Sequence, residues 1–110
     1  MDNKEIVERI MEKVNVGDIY YGSFGYDMTL YDFYEVVGKT KSSLRLRELK
    51  KKRLNGQLDN LGVQPIPGEY AGETFLKRVD KFGCLRIDGT FVHLDRPWKS
   101  SDVLFENHMD

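Results

Sequence analysis

The residues able to carry covalent or acid–base chemistry are His93, His108, Cys84 and a scatter of aspartates, and none sits in a pattern that such chemistry requires. A Ser-His-Asp or Cys-His apparatus needs a base beside its nucleophile and a third group to orient the base. His93, inside the alternating run Thr90-Phe91-Val92-His93-Leu94, and His108 have no flanking motif of that kind. A zinc site needs several ligands at a recognised spacing, and a single cysteine supplies neither a cage nor an intramolecular disulfide. Flanked by Phe82-Gly83 and Leu85, Cys84 reads as a small core residue. Asp27 with Asp32, and Asp88 with Asp95, can converge at one end of a barrel, where paired carboxylates run hydrolysis if their environments separate their pKa values. Beside glycine and threonine, aspartates more often accept backbone amides in turns. Walker, dinucleotide and metallohydrolase signatures are absent from the sequence. The expectation is a protein that is not an enzyme and takes no metal or cofactor.

Two other features suit recognition. Between residues 20 and 34, Tyr20, Tyr21, Phe24, Tyr26, Tyr31, Phe33 and Tyr34 crowd together. Tyrosine combines rigid apolar area with a hydrogen-bonding tip, which favours interface hot spots and base-stacking platforms. The same rings can equally fill a small core and its rim. The second feature is basic: Lys41, Arg45, Arg47, Lys50, Lys51, Lys52 and Arg53, opposed locally by Glu48. Such a stripe can neutralise phosphates or meet an acidic protein surface, or simply be a solvated loop that keeps an edge from aggregating.

The elements that must position these side chains are legible as periods. Ile6, Val7, Ile10, Met11 and Val14 fall on one helical stripe, so residues 3–15 are expected to form an amphipathic helix capped by Asp2 or Asn3. Ile19-Tyr20-Tyr21 begins a strand that a glycine-rich turn ends, and Leu30 to Val37 forms a second strand before a polar hairpin loop. Leu44 and Leu46 alternate with Arg45 and Arg47 in a third. Residues 50–73, rich in Lys, Gly and Pro, read as a long loop or a strand tip with an excursion. Asp88-Gly89 between two strand-like runs is the strongest hairpin signal in the sequence. Residues 96–110 read as a tail that packs briefly through Val103-Leu104-Phe105 and frays.

At 110 residues the chain fits one domain. Hydrophobic residues make up 40% and charged residues 32%, enough for a core, while a net charge of -1 gives no whole-molecule attraction to nucleic acid or anionic membranes. Apolar runs are far shorter than the roughly 20 residues a bilayer needs, and no secretory signal is recognisable, so a cytoplasmic location is expected. Short strands in a meander, with one N-terminal helix and a core over residues 18–95, predict a mainly β (α+β) fold. The expected form is a small SH3-like or partly open barrel of five to six antiparallel strands.

Gly17-Asp18-Ile19-Tyr20, Phe24-Gly25-Tyr26-Asp27-Met28-Thr29 and Asp32-Phe33-Tyr34-Glu35-Val36-Val37 resemble a group of short proteins from phages and mobile elements. In that group a Gly-Tyr-Asp-Gln-Thr type turn precedes an Asp-Phe-Tyr-x-Val strand. The resemblance spans the first half of the chain, with Phe24 where tryptophan is common and Met28 where glutamine is common. It implies a phage or prophage origin. A small phage protein without enzymatic motifs is expected to act stoichiometrically on a host or phage complex, in the manner of inhibitors of CRISPR effectors. The alternative is a small nucleic-acid-binding barrel.

Overall fold

The computed structural model describes residues 2–25, 29–54, 61–100 and 102–108. Helix α1 (Asn3–Lys13) starts at Asp2, whose carboxylate accepts the Glu5 N–H at 2.8 Å. It ends where Lys39 Nζ donates to the Met11 and Val14 carbonyls at 3.1 and 2.8 Å, placing a cation at the negative end of the helix. The expected stripe is the packed one: Met11 and Val14 are buried, with Val7 and Ile10 against them.

Among the described residues, eight strands form one antiparallel, open sheet. They are β1 (Ile19–Phe24), β2 (Leu30–Lys39), β3 (Ser43–Arg53), β4 (Leu61–Tyr70), β5 (Phe75–Arg78), β6 (Cys84–Ile87), β7 (Thr90–His93) and β8 (Leu104–Glu106). The order is β6-β7-β1-β2-β3-β4-β8, with β5 also paired to β3. The mainly β fold with one N-terminal helix is therefore the expected one, but the strand count exceeds five to six. Two segments make the difference. The proline-rich stretch predicted as a loop forms β4, and the predicted tail supplies β8. Pro65 sits opposite Lys51, beyond Val63, where β8 no longer pairs with β4 and a missing N–H costs little.

The sheet curls into two halves that share β2 and β3. In the larger half the chain runs through β5, β6 and β7 and returns to β1 at Gly22↔Val92 and Ser23↔Phe91. Strand β5 approaches β6, yet no ladder joins them among the described residues, so this half stays partly open. Gly22 permits the close approach of β7: a Cβ there would lie 2.4 Å from Thr90 Cγ2 and 2.8 Å from the Phe91 carbonyl oxygen. The predicted Asp88-Gly89 hairpin turn joins β6 to β7, with φ of 48° and 83° at its two residues. In the smaller half β4 carries β8, and Thr29 and Asn107 exchange backbone hydrogen bonds of 2.9 and 2.8 Å beside the start of β2.

Each half has its own core because alternate residues of a strand face opposite sides. Tyr20, Tyr34, Val36, Leu44, Leu46 and Val92 face the larger half, under α1. Phe33, Leu49 and Val63 face the smaller half, with Tyr21, Tyr31, Tyr70, Trp98 and Leu104 around them. Among the described residues, no helix is long and apolar enough to cross a membrane.

Candidate binding surfaces

Period-two alternation divides the aromatic set. Tyr20 and Tyr34 are only 1% and 4% exposed, sealed in the larger core, which corrects their assignment as contact residues. Burial, helped by the neighbouring Asp18 carboxylate, pushes the Tyr20 hydroxyl up to about 12, and burial likewise raises that of Tyr34. Tyr21 and Tyr31 lie half-buried on the opposite face, edge to face at 6.1 Å, and Tyr21 also tilts against Phe33 at 6.4 Å. Phe24 is exposed at the end of β1, and Tyr26 lies outside the described residues.

The pairing of β1 with β7 adds residues that local sequence patterns did not mark. Phe91, directly opposite Ser23, is 53% exposed, with the Arg86 guanidinium 5.3 Å from its ring centre. Together with Tyr21, Tyr31, Leu104, His93 and Arg96 it lines a groove of about 390 Å³. Amphipathic rings beside cations offer apolar area, hydrogen-bonding tips and positive charge within one depression.

The basic stretch does not form one stripe. Strand β3 continues through Arg53, so Arg45, Arg47, Lys51 and Arg53 alternate with Lys50 and Lys52 across its two faces. Three of the six are already engaged. Arg47 donates to the Gly72 carbonyl at 2.7 Å and covers the Tyr70 ring at 4.2 Å. Lys51 and Arg53 turn to Glu106 of β8, at 2.7 and 3.6 Å. Arg45, Lys50 and Lys52 remain exposed. The run is solvated at Lys50, Lys52 and Arg53, but it is the end of β3 rather than a loop, and Lys51 is drawn inward by a carboxylate from the other end of the chain.

Glu106 is fully buried and is the electrostatic centre of the smaller half. The β2–β3 ladder stops at Phe33↔Leu49, and beyond it Glu106 Oε2 accepts the Tyr31 N–H at 2.8 Å while Lys51 Nζ donates to the Tyr31 carbonyl at 2.6 Å. Side-chain charges thus satisfy the backbone groups that the interrupted ladder leaves. His108 Nε2 lies 2.8 Å from Glu106 Oε1. Burial acts to raise the Glu106 carboxyl, but hydrogen bonds from Lys51, the Tyr31 amide and His108 outweigh it and hold the group below the usual carboxylate range. Asp32 and Glu48 go the other way, raised chiefly by burial despite the attraction of Lys51.

The remaining groups are poorly arranged for chemistry. Cys84 Sγ is 3.4 Å from His93 Nδ1 across the β6–β7 hairpin, but burial and then the Asp80 and Asp95 carboxylates raise its pKa, keeping it a thiol rather than a nucleophilic thiolate. Asp27 lies outside the described residues, and Asp88 is taken up in its turn. Among the described residues, no three His, Cys, Asp or Glu side chains are grouped to hold a metal ion. Compared with known proteins, the chain matches no family model, no curated protein and no solved structure.

Proposed function

We propose that the chain is a non-catalytic phage or prophage accessory protein that binds a host macromolecular complex in the cytoplasm and blocks it by occupying its surface. Defence complexes that target nucleic acids are the leading class of partner. An SH3-like scaffold displays the contact face, which consists of Tyr21, Tyr31 and Phe91 with Phe24 at its edge. Arg86 and Arg96 flank it. The observation that carries this reading is the exposed Phe91 beside half-buried tyrosines in a groove, since rigid aromatic anchors with arginine are the residue types that dominate protein interfaces. Arg45, Lys50 and Lys52 contribute to steering rather than to the central contact.

The test is restoration of phage plaquing on hosts carrying defined CRISPR effectors, with stoichiometric capture of the purified effector. The double variant Tyr21→Ala/Phe91→Ala is expected to lose both while remaining folded by circular dichroism, with a melting temperature lowered by the loss of Tyr21 from the rim of the smaller core. Full retention of capture by that variant would move the contact elsewhere, and failure against every effector would remove the inhibitor reading.

A direct nucleic-acid contact is the second reading, favoured by the rings and Arg96 of the same groove with Arg86 over Phe91, which match a base-stacking platform. It requires single-strand affinity that falls steeply with salt as phosphate contacts release counterions. Gel shifts that are absent or insensitive to salt eliminate it.

A further inference from the structure

A second groove, of about 640 Å³, lies between α1 and the end of β5, away from the aromatic face. Its apolar lining is Val7 of α1, the buried Val79 and Phe82, a residue 76% exposed. Its rim is cationic. Lys4 stands at the start of α1, Lys41 in the β2–β3 turn, Arg78 at the end of β5 and Lys81 just beyond it. Among the described residues, none of these four has a carboxylate within 4.0 Å, although the chain as a whole carries a net charge of -1. Two acids share the lining, Glu8 and Asp80. Asp80 is committed to its own turn, accepting the Phe82 and Cys84 N–H groups at 2.9 and 3.1 Å, so positive charge prevails around the floor.

Three lysines and an arginine without anionic partners, held on three separate segments around an exposed phenylalanine, complement a ligand that carries several spaced negative charges and one apolar group. We infer that this groove binds an acidic peptide segment of a partner protein, one bulky apolar side chain seated on Val7, Val79 and Phe82 and flanking carboxylates paired with Lys4, Lys41, Arg78 and Lys81. A lone small anion would leave the apolar floor wet, and a purely apolar ligand would leave the charges unused. The groove is independent of the aromatic face, so a partner using both would be held at two points.

The probe is a fluorescent hexapeptide with a central Leu-Phe pair flanked by two acids on each side, titrated by anisotropy against the whole protein. A control peptide with lysines in place of the acids, a short single-stranded oligonucleotide and anionic phosphatidylserine vesicles are run in parallel. Saturable binding of the acidic peptide is expected, weakening with salt. Lys4→Glu/Lys41→Glu/Lys81→Glu should weaken it by about tenfold or more and Phe82→Ala by about fivefold. Tyr21→Ala/Phe91→Ala should leave it unchanged, which separates this inference from the proposed function. Amide shifts in the unaltered protein locate the site without any substitution and should cluster at residues 3–8, 41–42 and 78–82. The inference is overturned by no saturation, by equal binding of the lysine peptide, by preference for oligonucleotide or vesicles, or by shifts clustering elsewhere.

Discussion

The two cores on either side of β2 and β3 are closed by opposite means. The larger is sealed by hydrocarbon: α1 lays Met11 and Val14 onto Tyr20, Tyr34, Leu44 and Leu46, and no buried ion is needed to complete it. Among the described residues, the smaller contains three fully enclosed apolar residues, Phe33, Leu49 and Val63, and its β2–β3 ladder ends where Glu106, Lys51 and Tyr31 meet. Apolar closure is nearly independent of pH and salt. Ionic closure depends on charge state and is unforgiving of losing one partner, because the desolvated survivor has nothing to replace it.

Substitutions can break this contrast. Glu106→Gln should have the largest effect, costing about 3 kcal/mol in denaturant unfolding because Lys51 and the Tyr31 amide lose a buried anion. Loss of less than a third of that would mean water enters the smaller half freely. Gly22→Ala comes next, at about 1–3 kcal/mol, since its methyl would collide with Thr90 and the β7 backbone in the larger half. Lys39→Met should cost about 1 kcal/mol and show first as faster amide exchange in the last turn of α1, whose carbonyls lose their donor. Lys50→Glu/Lys52→Glu should change stability by no more than about 0.5 kcal/mol, both side chains being exposed.

Titration sharpens the contrast further. The Glu106 pKa is depressed, so its contribution is complete above the unfolded carboxylate value of about 4.3 and lost as pH falls through the lower folded value. Asp32 and Glu48 are raised, so the stability linked to their protonation is present below the unfolded values and lost as pH rises through the folded ones. Melting temperature should therefore rise slightly on acidification from neutrality and then fall below about pH 4. Glu106→Gln should flatten the acid fall and Glu48→Gln the earlier rise.

What was legible in the sequence was local. The stripe of α1, its Asp2 cap, the alternation of Leu44 and Leu46 with Arg45 and Arg47, and the Asp88-Gly89 turn all act within a few residues of themselves. What was missed depends on distant partners. Lys51 reads as solvent-facing until Glu106 is brought beside it, and residues 61–70 read as loop until β3 and the 104–106 segment offer ladders. The aromatic cluster was correctly seen as dense, but its division into Tyr20 and Tyr34, sealed under α1, and Tyr21 and Tyr31, half-buried at the rim of the smaller core, follows from which face α1 covers. The exposed Phe91 joins Tyr21 and Tyr31 only through the β1–β7 register.

The contact between Tyr31 and Glu106 spans 75 positions of chain. Closing so long a loop is entropically slow, and its reward arrives only after β2, β3 and β4 are already aligned. Neutralising that carboxylate should therefore accelerate the unfolding limb of a chevron while barely altering the refolding limb.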